Sequence, residues 1–135
     1  MELQQQIDAF LANQRFGVVG ASADRNKYGN KVLRCYRQND LDVVPVNPNA
    51  TEVEGIPAIA TLTESEPTLD AISVITPPHI TETIVEEAVA LGIGHIWMQP
   101  GAESESAVQS ATENGINVIS GGPCLLVVLG YRERP

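Results

Sequence analysis

Short apolar runs alternate with longer segments of helical periodicity along most of the chain. Each run is too short for a helix and is followed by a turn-forming or polar residue, which is typical of strands buried on both faces. The predicted strands are residues 16–20, 42–46, 71–75, 94–99 and 117–120. Between them, apolar residues recur three and four positions apart, as on the buried face of an amphipathic helix. The predicted intervening helices are residues 29–39, 80–91 and 104–114.

This alternation predicts the fold class. Consecutive strand, helix and strand units connect through right-handed crossovers and build a parallel sheet with helices on both faces. We therefore expect residues 1–135 to form a single α/β domain that is Rossmann-like, with about five mostly parallel strands. The spacing of Leu3, Ile7 and Phe10 predicts one further helix over residues 2–13, so that residues 1–14 lie outside the core pattern and pack on a sheet edge or a partner.

Local signals refine individual elements. Pro45 lies inside the second predicted strand, although proline cannot donate a ladder hydrogen bond, and by itself indicates an edge position or a bulge. The acidic, threonine-rich segment 47–66 predicts an irregular surface connection. Thr81 or Thr83 is expected to cap the helix at 80–91, with Glu86 completing a capping box after Thr83.

Charge and cysteine content narrow the choice of partners. Seventeen acidic against eight basic residues give a formal net charge of −9, which repels nucleic acids and anionic membranes. Six of those eight bases nevertheless fall between Arg15 and Arg37, so we expect a local cationic site. Cys35 and Cys124 have no zinc-like spacing, and the first residues lack the basic and apolar regions of a signal peptide, so we expect a cytoplasmic protein without a metal site.

The turn after the first predicted strand carries the clearest chemical signal. An ordinary dinucleotide fold has G-x-G-x-x-G here, so that backbone and a helix N-terminus approach a pyrophosphate. This chain instead has Gly20-Ala21-Ser22 and a longer loop before its helix. The loop has several candidate hydrogen-bond donors to a bound anion. They are the side chains of Ser22, Arg25 and Lys27 and the backbone amides near Gly29 and Asn30. Lys31, Arg34 and Arg37 follow at helical spacing, which is more typical of a solvated helix face.

The second predicted strand discriminates between nucleotide ligands. NAD-dependent dehydrogenases place an acidic residue at the end of this strand to hold the adenosine ribose. Asn47 stands there instead. An amide does not repel a ribose phosphate, so a 3′-phosphorylated adenosine such as that of coenzyme A is tolerated, and NADP stays open by the same argument.

The motifs at the strand ends resemble those of the Rossmann-like CoA-binding domains. This family includes small stand-alone proteins and the CoA-binding domain of the succinyl-CoA synthetase alpha subunit and of ADP-forming acyl-CoA synthetases. The resemblance covers nearly the whole chain and rests on Val-Gly-Ala-Ser at 19–22, Val-Pro-Val-Asn-Pro at 44–48, Trp-Met-Gln-Pro-Gly at 97–101, and Cys124. Small members of the family carry a proline in the second strand, so Pro45 fits the resemblance.

The resemblance implies a set of cofactor-binding residues. On the phosphate and pantetheine path it places Gly20, Ala21, Ser22, Lys27 and Tyr28. Beside the adenosine it places Val46, Asn47 and Pro48, and on the opposite wall Thr76, Pro77 and Pro78. Gln99 and Cys124, with Arg25 and Asn30 of the loop, complete the candidate set.

Two residue types near this site have more than one interpretation. The Gly-Gly-Pro that precedes Cys124 departs from the small-family pattern, which usually has an acidic and a basic residue there. Cys124 is therefore either a buried small hydrophobe or a thiol that forms a mixed disulfide at the end of the CoA arm. His79 and His95 stand in no recognisable triad or metal-ligand spacing, and His79 is either an exposed helix-start residue or an acid–base group at the mouth of the site.

These observations predict a stand-alone module that binds coenzyme A or an acyl-CoA and carries no catalytic apparatus of its own. The synthetases act through a phosphohistidine loop on a second domain and a partner subunit, and we expect neither in this chain. The alternative is an enzyme, either an NAD(P)-linked oxidoreductase or a CoA-handling catalyst completed by a partner. Acyl preference, protein partners and homo-oligomerisation are left open.

Overall fold

A five-stranded parallel sheet forms the centre of the structure, a computed structural model that describes residues 2–133. The strands in this part of the chain are β1 (Phe16–Val19), β2 (Val43–Val46), β3 (Glu52–Val53), β4 (Ile56–Pro57), β5 (Ala71–Val74), β6 (His95–Met98) and β7 (Asn117–Ile119). β3 and β4 form a separate antiparallel hairpin, and the others pair in parallel in the order β2-β1-β5-β6-β7. The predicted five-stranded Rossmann-like fold is therefore confirmed.

Helices cover both faces of this sheet. They are α1 (Leu3–Leu11), α2 (Tyr28–Gln38), α3 (Pro78–Leu91), α4 (Glu105–Glu113) and α5 (Leu125–Val128). One face is packed by α1, α2 and α5, which bury Phe10, Tyr36 and Leu125, and the other by α3 and α4, which bury Val85 and Ala111. Because each large apolar side chain contributes about 1.5–3 kcal/mol when fully buried, these two layers hold the strand ends in fixed positions. No helix in the described part of the chain has the length and apolar character to cross a bilayer.

The two edges of the sheet explain Pro45 and the N-terminal helix. β2 is an edge strand, so Pro45 occupies the kind of position that its missing N–H allows. Ile59 flanks this edge, donating its N–H to the Pro45 carbonyl at 3.0 Å. At the other edge α1 packs against β7, where Gln6 Nε2 donates to the carbonyl of Val118 at 2.9 Å. The predicted helix at 2–13 is thus shorter by a few residues and lies on a sheet edge.

Three local predictions differ from the structure. Segment 47–66 is more regular than predicted, since it contains the β3–β4 hairpin and a short 3₁₀ helix, Leu62–Glu64. α3 begins at Pro78 with Pro77 as its N-cap, so the predicted caps at Thr81 or Thr83 are wrong. Proline favours the first turn of a helix because that turn does not need its N–H. α5 follows Cys124 and was not predicted, because four apolar residues have no measurable period.

The connection order creates a switch point between β1 and β5. The chain leaves β1 towards β2 on one side and returns to β5 on the other, so the two crossovers diverge at the carboxyl ends of β1 and β5. In open α/β sheets this divergence leaves a crevice in which ligands bind. Gly20 and Ile75 directly follow the two strands and mark its position.

Candidate functional site

A cleft with two connected lobes occupies the switch point. The first, here called the loop lobe, has a volume of about 460 Å³ and lies under the segment between β1 and α2. The second, the apolar lobe, has a volume of about 220 Å³ and lies between the end of β2, the 3₁₀ helix and α3. Gly20, Asn47 and Thr76 line both, so the two volumes adjoin at these three residues.

Close backbone approach shapes the loop lobe. Gly20 has a φ of +97°, a left-handed conformation that favours glycine, and turns the chain out of β1. Gly29, in the first turn of α2, packs so closely that a Cβ there would overlap the carbonyl oxygen of Gly20. This contact brings the start of α2 against the end of β1, as the third glycine does in the usual dinucleotide motif.

The loop lobe offers several groups to an anion. Lys27 lines it and is exposed, and it is also the N-cap residue of α2. No side chain caps the first amides of this helix, so they remain available where the helix dipole favours negative charge. The Ser22 hydroxyl accepts from the amide of Asp24 at 3.1 Å, which leaves its hydrogen free to donate. The lobe therefore provides charge, a hydroxyl and helix amides in one place.

Asn47 connects the end of β2 to this loop. Its Nδ2 donates to the carbonyl of Ala21 at 2.7 Å, and its Oδ1 accepts from the amide of Asn49 at 2.7 Å. Val46 and Pro48, on either side, line the apolar lobe with it. The side chain is thus a neutral link between two walls of the cleft.

The rear of the loop is held by buried polar side chains. Asn30 is fully buried, donates through Nδ2 to the carbonyl of Ser22 at 2.8 Å and accepts from Arg34 Nε at 2.7 Å. Arg34 is 6% exposed and also donates to the carbonyl of Arg25 at 2.9 Å. The expectation of a solvated face is therefore wrong for Arg34, because its guanidinium is buried against the Asn30 side chain and the carbonyl of Arg25.

Tyr28, Gln99 and Cys124 form a cluster beyond the loop lobe. The Tyr28 hydroxyl lies 2.9 Å from Gln99 Oε1 and 2.7 Å from Cys124 Sγ. Tyr28 also lines the loop lobe. Gln99 Oε1 also accepts from the amide of Leu125 at 2.9 Å, which fixes the orientation of the amide and leaves its buried Nε2 without a hydrogen bond. Burial, followed by the bond to Cys124, raises the pKa of Tyr28, so the tyrosine is a neutral hydroxyl at neutral pH.

The opposite wall comes from the segment between β5 and α3. Thr76 and Pro77 line the loop lobe, and the Thr76 hydroxyl lies 2.8 Å from that of the buried Thr81. Pro78 is exposed at the first position of α3, and His79 beside it is also exposed. Within residues 2–133, no group of metal-ligating side chains comes together.

The predicted residues therefore separate into three groups. Those that line the cleft are Gly20, Ala21, Ser22, Lys27, Tyr28, Val46, Asn47, Pro48, Thr76 and Pro77. Gln99 and Cys124 lie behind Tyr28. Arg25, Asn30 and Pro78 do not line either lobe: Asn30 is buried behind the loop, and Arg25 Nε lies 3.4 Å from Glu54 Oε2.

Sequence reasoning missed much of the apolar lobe. Ala60, Thr61 and Leu62 approach it from the segment after β4, and Ile80 and Ile84 from α3. Ile80 is 40% exposed, which is high for a large aliphatic side chain. The four-residue spacing of Ile80 and Ile84 was the available signal, since it places a second apolar stripe on α3 beside the one that packs on the sheet.

Comparison with known proteins gives consistent matches. A family model described as a CoA binding domain matches residues 14–130. The uncharacterized protein YneT of Bacillus subtilis (strain 168) is 27% identical over 107 residues, 79% of each chain. The structure of a conserved hypothetical protein from Pyrococcus furiosus superimposes with a TM-score of 0.80 and 34% identity, covering 85% of this chain and 98% of the other. The dinucleotide forming acetyl-coenzyme A synthetase 1 of Ca. Korarchaeum cryptofilum shares the fold at 23% identity and a TM-score of 0.68, over 78% of this chain and 25% of its own.

Proposed function

Because the chain belongs to the CoA-binding domain family, we propose that its two-lobed cleft binds coenzyme A or an acyl-CoA. The observation that carries this proposal is that an apolar lobe and a cationic loop lobe adjoin at Gly20, Asn47 and Thr76. Such a site suits a ligand that joins an apolar group to phosphates through a short linker. A nucleotide whose ribose also carries a phosphate has this form.

The adenine is assigned to the apolar lobe. Its walls are mostly aliphatic, and its volume of about 220 Å³ is of the size of one heterocycle with its sugar edge. Glu87, half-buried in α3, lines this lobe and can accept from an exocyclic amino group. The ribose would then lie at Asn47, a neutral side chain that tolerates the 3′-phosphate.

The pyrophosphate is assigned to the loop lobe. Lys27 supplies a charge-assisted bond there, and Ser22 and the uncapped start of α2 supply neutral donors. Arg25, paired with Glu54 outside the lobe, is the weaker of the two predicted cations. The pantetheine arm would leave the lobe past Tyr28, towards Gln99 and Cys124.

We further propose that this chain binds its ligand without turning it over. The titratable side chains that line the two lobes are Lys27, Tyr28 and Glu87. Tyr28 is engaged with Gln99 and Cys124, and its raised pKa makes it a poor base at neutral pH.

The free thiols of Cys35 and Cys124 suit the reducing cytoplasm, where coenzyme A is a soluble ligand.

Thermal stabilisation of the purified protein tests the ligand. A ligand at one hundred times its Kd adds about 2.7 kcal/mol to the free energy of unfolding, which is a readily measured shift in Tm. We expect stabilisation by coenzyme A, acetyl-CoA and 3′-dephospho-CoA, and none by NAD. Stabilisation by NADP with none by coenzyme A would favour the oxidoreductase alternative, and stabilisation by NAD alone would refute the proposal.

Lys27→Ala tests the position of the phosphates. Loss of one charge-assisted hydrogen bond costs about 1.5–3 kcal/mol, so the Kd for coenzyme A should rise roughly tenfold or more, with a weaker dependence on salt. Arg132→Ala is the matched control, because it removes the same charge from an exposed residue away from the cleft. Equal effects of the two variants would argue against the assignment of Lys27.

A further inference from the structure

The rear of the loop between β1 and α2 faces a separate depression of about 300 Å³. Its lining residues are Arg25, Arg34, Arg37, Gln38 and Glu54. Three guanidinium groups in one depression resemble a second anion site, but each of them already contacts an acceptor of the chain. Arg25 pairs with the Glu54 carboxylate, Arg34 donates to Asn30 and to the Arg25 carbonyl, and Arg37 Nη1 donates to the Glu54 carbonyl at 3.0 Å.

Glu54 is the centre of these contacts. Its Oε2 accepts from Asn30 Nδ2 at 3.1 Å and lies 3.4 Å from Arg25 Nε. The same Asn30 nitrogen donates to the carbonyl of Ser22 at 2.8 Å. One carboxylate on the β3–β4 hairpin is therefore linked to both ends of the segment 22–25, whose front surface lines the loop lobe at Ser22.

The backbone of Glu54 adds an independent observation. With Gly55 it forms the two-residue turn between β3 and β4, and its φ is +52° while that of Gly55 is +80°. Such turns favour glycine, asparagine and aspartate at the first position, and glutamate is disfavoured there. A side chain kept in a costly backbone conformation points to a role outside the turn itself.

We propose that Glu54 is a positioning residue. It holds the loop between β1 and α2 in its binding shape through Arg25 and Asn30 without touching the ligand. This inference rests on the proposed function, since it concerns the phosphate end of the same cleft. A loop that is already ordered loses less conformational freedom on binding, so the affinity contains a contribution from Glu54. It also explains why Arg25 faces away from the loop lobe: its charge serves the loop and not the phosphate.

Glu54→Gly separates this role from a contribution to folding. Glycine fits a φ of +52° and keeps the carbonyl that accepts from Arg37, while Asn30 retains its bond to the Ser22 carbonyl. The expected result is a Tm that is unchanged or raised together with a Kd for coenzyme A that is raised roughly fivefold to tenfold. Glu54→Asn, which also tolerates this backbone conformation but is too short to reach Arg25, should behave in the same way. A purely structural role would move stability and affinity in the same direction.

Hydrogen exchange and a double variant complete the test. The amides of Asp24, Asn26 and Lys27, which bond within the loop, should exchange faster in Glu54→Gly, whereas sheet amides should not change. Arg25→Ala should also weaken coenzyme A binding, and the double variant should bind no more weakly than Glu54→Gly alone. Unchanged affinity in Glu54→Gly while Lys27→Ala still weakens binding would overturn the role of Glu54 alone. Unchanged affinity in both would overturn the assignment of the phosphates to the loop lobe as well. Failure of the unchanged protein to bind coenzyme A would overturn the proposed function itself.

Discussion

Asn47 Nδ2 donates to the carbonyl oxygen of Ala21 at 2.7 Å and joins the end of β2 to the loop between β1 and α2. Its Oδ1 accepts from the amide of Asn49 at the same distance. An amide donates through one atom and accepts through the other while carrying no charge, whereas a carboxylate can only accept. The side chain at 47 therefore has a structural task in addition to the tolerance of a ribose phosphate inferred from the sequence.

Asn47→Asp should weaken coenzyme A binding strongly. The carboxylate still accepts from the amide of Asn49 but cannot donate to Ala21, and it repels a nearby phosphate. Loss of a hydrogen bond costs about 1 kcal/mol. Repulsion between two like charges about 4 Å apart costs about 1 kcal/mol in bulk water and about 4 kcal/mol near a protein surface. Titration calorimetry should show a Kd that is at least roughly tenfold higher.

Asn49→Asp provides the matched control for this variant. It adds the same charge two residues away at an exposed side chain, without removing the bond to Ala21. We expect a much smaller loss of affinity. If both variants weakened binding equally, general repulsion would be the cause and the link between β2 and the loop would be irrelevant.

Gly29→Ala should destabilise the fold. The added Cβ would overlap the Gly20 carbonyl, and both atoms belong to backbone that cannot move independently. Overpacking of this kind costs about 1–3 kcal/mol or more, which urea denaturation measures directly. Gly94→Ala is the comparison, because a Cβ at Gly94 has no neighbour within 4 Å. A Gly29→Ala protein as stable as Gly94→Ala would contradict the close packing of α2 on β1.

Stability should decrease when the pH falls below the usual pKa of histidine. Burial lowers the pKa of His95, an effect that the carboxylate of Asp70 partly opposes. The ring lies against Phe10, and its Nδ1 is 3.1 Å from Asn117 Nδ2. Below about pH 6.5, His95 therefore binds a proton in the unfolded chain more readily than in the folded chain. The contribution of His95 to stability is complete above this pH and is progressively lost below it.

Urea denaturation across this pH range checks the role of His95. His95→Gln should lose less stability on acidification than the unchanged protein does. His79→Gln, at an exposed position of α3, should follow the unchanged protein. Parallel pH profiles for all three proteins would show that His95 is not the responsible group.

The two thiols should differ greatly in reactivity. Cys35 is fully buried, and burial raises its pKa to about 11, so neither access nor the thiolate form is available in the folded protein. Cys124 is half-buried next to Tyr28. Dithiobis-nitrobenzoate should therefore modify one thiol in the native protein and two after unfolding. Cys124→Ser should abolish the native reaction, Cys35→Ser should preserve it, and rapid modification of both thiols would contradict the burial of Cys35.

The fold could be predicted from the sequence because its signals are local. Each apolar run and each helical period lies within one element, and the turn at Gly20 follows directly from its glycine. The residues that line the loop lobe were also accessible, since Ser22 and Lys27 lie in the loop after β1 and Asn47 directly follows β2. Such ends meet at one edge of any sheet with this topology.

The remaining features depend on contacts between distant segments. Arg34 has the spacing of a solvated face, but the turn after β1 brings the carbonyl of Arg25 to its guanidinium. The Glu54 contacts require the hairpin to fold back on α2, and no period in the sequence indicates this. The dipeptide Glu54-Gly55 between short apolar segments was a weak hairpin signal that acidic composition obscured.

The guarded edge of β2 has a further consequence for solubility. A free strand edge templates the addition of a foreign strand and, in the extreme, fibril growth. Here the carbonyl of Ile59 accepts from the N–H of Asn47 at 2.9 Å, so Ile59 covers this edge. The residues that follow it, Ala60 to Leu62, form one wall of the apolar lobe. A nucleotide that rigidifies this wall also holds Ile59 against β2. The liganded protein should therefore be more resistant to self-association than the free protein.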